Sequence, residues 1–219
     1  MLLLALDTAS SAVSVALHDG ETVLAERFGV DTPRHVELLT PLVAEVLAEV
    51  GVKPPDLTAI AVGVGPGPFT GLRVGLVTAR VFALALGLDV VGVCSLDAVA
   101  AGAVRAGLAA EEFLVATDAR RREVYWARYR CDPGALPVRV DGPHVAAAGE
   151  IPRDGLSVAG RGAQLYPAEL GDVVLPLDPP AADLARLAVH GAPYLIEAEP
   201  LYLRRPDASL PGARKRVLP

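Results

Sequence analysis

Short runs of hydrophobic residues along the first half of the chain predict a regular order of strands and helices. An apolar run ends at Asp7, an alternating stretch follows, and the hairpin signal Asp19-Gly20 returns the chain into a third strand. Further periodicities predict a helix over 33–50, a strand at 58–64, a helix over 72–86, a strand at 89–94 and a helix over 95–106. The predicted order is βββαβαβα, which is typical of an α/β lobe.

The second half of the chain is richer in strand signals. Strands are predicted at 113–117 and 123–130, joined by a turn at 119–122. Beyond them the pattern predicts strands near 156–160, 173–175 and 201–203 and a helix over 181–190. We therefore predict three segments, namely a first lobe at 1–107, a second lobe at 108–203 and a basic tail at 204–219.

The first two helices are apolar over more of their surface than one sheet face needs. In the second helix, one set of residues spaced for a single face begins at Leu72, and another begins at Val74. A helix that is apolar on all sides is buried in its own chain or covered by another chain. Full burial is the ordinary interpretation, and a partner surface is the alternative. Pro41 predicts a kink or break in the first helix.

Composition limits the class of protein. The chain has 219 residues, 52% of them hydrophobic and 21% charged, with a net charge of −6. These values exclude intrinsic disorder and argue against a broad basic surface for nucleic acid. The two cysteines, Cys94 and Cys131, form no CxxC pair, and the first six residues are too short for a secretion signal. We expect buried thiols, no membrane span and a cytoplasmic protein.

The most distinctive stretch is a strand-to-helix elbow at residues 63–75. Gly65 and Gly67 permit positive φ and close backbone approach, while two prolines between 65 and 69 stiffen the loop. Thr70 is predicted to cap the following helix, whose N-terminus suits an anion. The elbow is therefore a rigid turn or a phosphate-facing loop. The second alternative is the weaker because prolines donate no hydrogen bond and the Walker lysine is absent.

Polar residues after strands are further candidates for contact with a nucleotide. Asp7 precedes small hydroxyl residues, and Asp118 also follows a strand, so the two carboxylates are candidates for one cleft. The alternative is an Asx turn, in which Asp7 accepts a hydrogen bond from its own backbone. The full set of nucleotide-facing candidates is Asp7, Thr8, Ser10, Gly65, Gly67, Thr70 and Asp118.

The sequence offers no recognisable catalytic or metal-binding motif. The four histidines are scattered, and the motifs HExxH and GxSxG do not occur. We therefore assign no catalytic residue and no metal site.

Three stretches together resemble one known family. Asp7-Thr8-Ala9-Ser10, the elbow GPGPFTGLR at 65–73 and DARRREVY at 118–125 occur in the order found in the TsaB (YeaZ) family, and PLYLR at 200–204 is similar to its closing motif. The resemblance covers nearly the whole chain. One departure is Pro68, where the family usually has serine.

This resemblance implies a fold and a role. The fold is the actin-like ATPase fold (ASKHA, ribonuclease H-like), with two lobes of βββαβαβα type and the second lobe shortened. The role is that of a non-catalytic partner of the transferase TsaD, acting with the ATPase TsaE to form N6-threonylcarbamoyladenosine at position 37 of tRNAs that read codons beginning with A. TsaD-like proteins carry an HxxxH metal pair where this chain has Ser95 and Val99.

The resemblance also implies the partners. The first two helices are expected to pair with a TsaD-like protein, or with a second copy of the chain when it is alone. We expect tRNA contact only through the complex and no tightly bound cofactor, although weak ATP or ADP binding is compatible with the fold. The expected interface residues are His35, Leu38, Leu39, Leu42, Val46, Leu72, Arg73, Val74, Val77 and Val81. The alternatives are an ATP-using phosphotransferase or ATPase of the same fold and, less favoured, a glycoprotease.

Overall fold

The computed structural model of the chain describes residues 1–30, 35–191 and 193–204. These residues form eleven strands and six α helices. The strands are β1 (Leu3–Asp7), β2 (Ala12–His18), β3 (Val23–Val30), β4 (Ala59–Gly63), β5 (Val90–Val93), β6 (Glu112–Asp118), β7 (Glu123–Arg130), β8 (Val138–Ala147), β9 (Val158–Ala159), β10 (Val173–Val174) and β11 (Leu195–Ile196). The helices are α1 (His35–Val50), α2 (Phe69–Leu86), α3 (Ser95–Arg105), α4 (Arg161–Leu165), α5 (Pro167–Leu170) and α6 (Ala181–His190).

The first sheet has six strands in the order β11-β5-β4-β1-β2-β3. Strand β1 pairs antiparallel with β2 and parallel with β4, and all five of its residues are buried. A strand that is apolar on both faces needs cover on both sides, and this explains its continuous hydrophobic run. The predicted βββαβαβα order of the first half is confirmed.

The second sheet repeats the pairing scheme of the first. Its order is β10-β9-β6-β7-β8, with β6 antiparallel to β7 and parallel to β9. Thus β6, β7, β8, β9 and β10 occupy the places of β1, β2, β3, β4 and β5. No α helix joins β8 to β9 among the described residues, so this lobe is shorter than the first. Strand β8 was not predicted, and 201–203 forms no strand.

Two helices lie between the sheets and join the lobes. Helix α3 buries Leu96 and Val99 against the second sheet, while α6 packs small residues against Leu3 and Ala5 of the first sheet. Helix α6 and strand β11 belong to the segment that was assigned to the second lobe, yet both contact the first sheet. Alanines on α6 permit this close approach to a sheet face of small side chains.

Helices α1 and α2 cover the other face of the first sheet. Helix α1 continues through Pro41, so the predicted break does not occur. One face of α2 enters the core through Leu72, Leu76, Ala79 and Ala83. Helix α2 is long and apolar enough to cross a membrane by length and composition alone. This is weak evidence, because it is a single helix and one of its faces packs in the core. Residues 205–219, most of the predicted basic tail, lie outside the described chain.

Candidate functional site

Asp7 is the centre of a buried hydrogen-bond network at the end of β1. Its side chain is 1% exposed. Oδ1 accepts the backbone N–H of Ala9 at 2.7 Å, and Oδ2 accepts the hydroxyl of Ser95 at 2.5 Å. The Ser95 hydroxyl also accepts the N–H of Gly65 at 3.1 Å. The Asx-turn interpretation of Asp7 is confirmed, and the carboxylate joins β1, the elbow and α3 rather than facing solvent.

Thr8 fastens the same turn to the start of α2. Its hydroxyl donates to the carbonyl of Gly71 at 2.8 Å and accepts the N–H of Gly75 at 3.0 Å. Both hydrogen-bonding roles of this side chain are therefore satisfied by the protein itself. Thr8 holds the elbow in place.

The elbow needs glycine because the end of β1 and the turn that follows it lie directly against the elbow backbone. A Cβ on Gly67 would lie 2.1 Å from the carbonyl oxygen of Ala9, and a Cβ on Gly63 would lie 1.7 Å from Asp7 Oδ2. Gly65 has a φ of +94°, as predicted for a residue in this turn. Close backbone approach is thus confirmed, but the group approached is the turn after β1. The rigid-turn interpretation describes the elbow best.

Thr70 does not cap α2. The helix begins at Phe69, its N-cap residue is Pro68, and no side chain caps it. Thr70 is instead exposed in the first turn. The prediction was wrong because the helix begins three residues before Leu72, where the apolar pattern starts, so Thr70 is already inside its first turn.

The other strand-end carboxylate, Asp118, also serves its own turn. Oδ1 accepts the N–H of Arg120 at 2.7 Å, and Oδ2 pairs with the Arg120 guanidinium at 3.2 Å. The Ser10 hydroxyl accepts the N–H of Ala12 at 3.1 Å. The gap that Ser10 and Asp118 line has a volume of about 10 Å³, room for one water molecule. In the described chain the two strand ends therefore do not enclose a nucleotide-sized cavity at this gap.

A larger cavity, of about 190 Å³, lies where the motif segments meet. The ring of Phe69 stacks on Tyr202 with centroids 5.1 Å apart. Arg73 lies 3.7 Å above the Phe69 ring and donates from Nε to the Tyr202 hydroxyl at 3.1 Å. Arg204 donates to the carbonyl of Ala119 at 2.8 Å and pairs with Glu123. The elbow, the β6–β7 turn and the PLYLR segment thus form one surface.

Sequence reasoning did not select this cavity. It named Gly67 and Arg73 separately, and it left out the aromatic and arginine residues around them. The available signal was the PLYLR motif, because a motif near the end of a chain often packs against the others. The omitted lining residues are Pro68, Phe69, Ala119, Arg120, Arg121, Tyr125, Tyr202, Leu203 and Arg204.

The structure divides the predicted interface residues between core and surface. Leu39, Leu42, Val46 and Leu72 are at most 9% exposed and pack in the core, so they cannot contact a partner in this fold. Leu38 and Val74 are half-buried against the same core, and Arg73 is exposed. The His35 side chain lies outside the described part. Leu39, Leu42 and Val46 of α1 are therefore core residues, because the first sheet needs them.

An apolar face remains uncovered on α2. Val77 is 57% exposed, Val81 58% and Leu84 86%. Their spacing of four and three residues places them in one row along the helix. On α1 the exposed positions include the small residues Pro41, Ala44 and Ala48. We call the row Val77, Val81 and Leu84 the α2 face. Leu84 was not among the predicted interface residues.

The positions that carry the metal pair in TsaD-like proteins cannot hold a metal here. Ser95 is engaged by Asp7, and Val99 is fully buried in the core between the lobes. A hydroxyl held by a carboxylate and an aliphatic side chain are not a transition-metal ligand set. Among the described residues, no group of three His, Cys, Asp or Glu side chains is arranged to hold a metal ion.

A second buried polar cluster joins the two lobes beside α3. The Tyr129 hydroxyl donates to Asp97 Oδ1 at 2.7 Å, and Arg139 lies 3.7 Å from the same oxygen. Burial raises the pKa of Asp97 although Arg139 opposes the shift. Burial also raises the pKa of the Cys94 thiol to about 12. The cluster connects the two lobes, and we assign it a structural role rather than a role in binding or catalysis.

Comparison with known proteins gives consistent matches. A family model described as tRNA N6-adenosine threonylcarbamoyltransferase (TsaD) matches residues 24–141. The solved structure of YeaZ from Pseudomonas aeruginosa superposes with a TM-score of 0.78 and 33% identity, covering 92% of this chain and 99% of that chain. An uncharacterized protein of Mycobacterium tuberculosis is 46% identical over 94% of this chain and 92% of its own length.

A shorter match links the chain to a protein named for a pathway. The tRNA threonylcarbamoyladenosine biosynthesis protein TsaB of Escherichia coli is 39% identical over 136 residues, which are 62% of this chain and 58% of that protein. The repeated sheets and the superposition on YeaZ together confirm the predicted two-lobed actin-like fold.

Proposed function

The chain belongs to the TsaB (YeaZ) family, and on this premise we propose that it is the non-catalytic partner of a TsaD-like transferase. In this role it supports formation of N6-threonylcarbamoyladenosine at position 37 of tRNAs that read codons beginning with A, together with a TsaE-like ATPase. The chain acts in the cytoplasm, pairs with the transferase through α1 and α2, and forms a homodimer when the transferase is absent.

The observation that carries this proposal is the uncovered α2 face. Val77, Val81 and Leu84 form a row of aliphatic side chains on a helix whose opposite face is already in the core. Helix α1 contacts α2 and has small residues among its exposed positions, and small residues let a second pair of helices approach closely. Single exposed apolar side chains are common on protein surfaces, whereas large ones that are exposed in a continuous row are typical of a partner surface. Arg80 lies on the same helix and supplies a charge at the polar rim.

The surroundings of Asp7 and Asp118 favour a subunit that catalyses no reaction of its own. A phosphotransferase of this fold would use strand-end carboxylates to face phosphate and Mg²⁺. Here Asp7 accepts two internal hydrogen bonds, and the gap beside Asp118 holds about one water molecule. The ATPase alternative is therefore not favoured, and no cofactor is part of the proposal.

Reconstituted modification of tRNA tests the proposal. The TsaD-like transferase, the TsaE-like ATPase, a threonylcarbamoyl donor and a suitable tRNA are incubated with and without this chain, and the modified nucleoside is measured by mass spectrometry. We expect product only when the chain is present and none from the chain alone. Equal product without the chain would overturn the proposal.

A further inference from the structure

The turn between β6 and β7 has an unusual backbone. Arg120, Arg121 and Arg122 follow one another with φ values of 62°, 55° and 64°. Residues other than glycine rarely adopt this left-handed backbone conformation, and three such residues in succession require support from their surroundings. The support comes from Asp118, which accepts the N–H of Arg120, and from hydrogen bonds between the turn and Glu123. The result is a fixed turn with three exposed arginines.

Two more arginines lie on the same surface. Arg73 reaches it from α2 through Phe69 and Tyr202, and Arg204 is fixed to the turn at Ala119. We call the five residues Arg73, Arg120, Arg121, Arg122 and Arg204 the arginine patch. Two carboxylates, those of Asp118 and Glu123, pair with members of it. The patch places five cations on one surface of a chain whose net charge is −6.

Part of this charge has no carboxylate partner in the part of the chain that the structure describes. Arg120 pairs with Asp118 and Arg204 with Glu123. Arg73 and Arg122, by contrast, have no carboxylate partner among residues 1–30, 35–191 and 193–204. The Arg73 guanidinium is held by Phe69 and Tyr202, and a guanidinium without a carboxylate partner suits phosphate oxygens, which it binds by paired hydrogen bonds.

Aromatic rings accompany the arginines. The cavity of about 190 Å³ is lined by Phe69, Tyr125 and Tyr202 as well as by Arg120, Arg121 and Arg204. Aromatic rings and arginines together are the usual composition of surfaces that bind single-stranded or looped RNA, where bases stack and phosphates pair. The cavity is smaller than the pockets that enclose a whole small ligand. It suits one unit of a larger chain better than a nucleoside triphosphate.

We propose that the arginine patch binds the sugar–phosphate backbone of the tRNA substrate directly. The inference rests on the proposed function, and it revises the expectation that tRNA is contacted only through the partner. The patch lies at the N-terminal end of α2, whereas Val77, Val81 and Leu84 continue toward its other end. The chain can therefore hold the transferase and touch the tRNA at the same time.

The test uses the complex of this chain with the TsaD-like transferase and a labelled tRNA. The double variant Arg121→Ala/Arg122→Ala removes two patch charges. The control Lys53→Ala/Arg130→Ala removes two exposed charges elsewhere, one of them at the opposite end of β7. We expect the patch variant to bind tRNA at least about tenfold more weakly and to lower the magnitude of the salt slope by about 1–2, and the control to stay within about twofold.

A second variant guards against damage to the turn. Arg73 lies in helix α2, and alanine has a high helix propensity, so Arg73→Ala is expected to retain the fold. We expect about fivefold weaker tRNA binding with the transferase at saturating concentration, so that a change at the transferase interface does not enter the result. Wild-type tRNA affinity and salt slope in both patch variants would overturn the inference. If the wild-type chain is required for modification while these variants bind tRNA normally, the patch fails and the proposed function stands. If the chain is dispensable, the proposed function fails.

Discussion

The hydroxyl of Ser95 donates a hydrogen bond of 2.5 Å to Oδ2 of Asp7, and so links the first residue of α3 to the last residue of β1. These two residues are 88 positions apart in the sequence. One stands where TsaD-like relatives carry a metal ligand, and the other stands where a phosphotransferase would need a free carboxylate. Their contact uses the Ser95 hydroxyl and the Asp7 carboxylate inside the protein.

Replacing Asp7 is expected to destabilise the fold. In Asp7→Ala, the N–H of Ala9 and the hydroxyl of Ser95 lose a buried acceptor, at a cost of about 2–4 kcal/mol in the free energy of unfolding. Asp7→Asn keeps one acceptor oxygen and is expected to lose about half as much. Urea unfolding measures both. An Asp7→Ala protein of wild-type stability that lost phosphate release from ATP would instead support the ATPase alternative.

Gly67 is expected to tolerate no side chain. In Gly67→Ala the new methyl group would meet the Ala9 carbonyl at 2.1 Å, and backbone must move to relieve it. We expect a loss of about 3 kcal/mol or failure to fold. Gly149→Ala is the matched control, because its methyl group meets only Glu169 at 3.7 Å and should change stability by less than about 0.5 kcal/mol. Similar thermal midpoints for the two variants would contradict the close approach.

Much of the fold could be predicted from the sequence, and the choice of surface could not. Strand and helix periodicity gave the order of the first lobe and the hairpin around residue 120, because these signals are local. Which apolar residues remain outside depends on how elements pack. Leu72 and Val77 are both aliphatic and lie in the same helix, yet only the first faces the sheet. Composition gives no signal for that difference.

The candidate site was predictable only in part for a related reason. Asp7 and Gly67 are predicted to face a nucleotide, but the structure places them against Ser95 and Ala9, which are distant or featureless in sequence. The cavity at Tyr202 joins three motifs that are more than forty residues apart. Sequence reasoning could name each motif but had no means of placing them together.

The two thiols are expected to differ in reactivity. Burial raises the pKa of Cys94 to about 12 and removes it from solvent, whereas Cys131 is only partly buried. Because the thiolate is the nucleophile, an alkylating reagent at neutral pH should modify Cys131 first and leave Cys94 intact until the protein unfolds. Intact-mass measurement of the Cys131→Ser variant checks this. One rapid modification in that variant would show that Cys94 is accessible.

The free energy of unfolding is expected to decrease as the pH is lowered, because His18 becomes protonated more easily in the unfolded chain. Its ring is 3% exposed, and Nδ1 accepts the N–H of Gly20 at 2.9 Å. Burial lowers the pKa of His18, with Asp19 opposing this shift and Arg186 adding to it. The unfolded chain therefore binds more protons, and the free energy of unfolding decreases as the pH falls below about 6.5.

His18→Asn isolates this contribution, since the asparagine oxygen can accept the same N–H without titrating in this range. Urea midpoints between about pH 5 and 7.5 should decline less steeply for the variant than for wild type. Equal slopes would show that other groups control the pH dependence.

Binding to the TsaD-like transferase tests the central claim most directly, with Val77→Glu compared to Val138→Glu. Both valines are exposed, at 57% and 43%, but only Val77 lies on the α2 face. We expect Val77→Glu to remain folded and to bind the transferase at least about 100-fold more weakly, because the charge would be desolvated at the interface. Val138→Glu should bind like wild type, and tRNA modification should follow binding in both. Unchanged affinity of Val77→Glu, measured by calorimetry on the folded protein, would contradict the account.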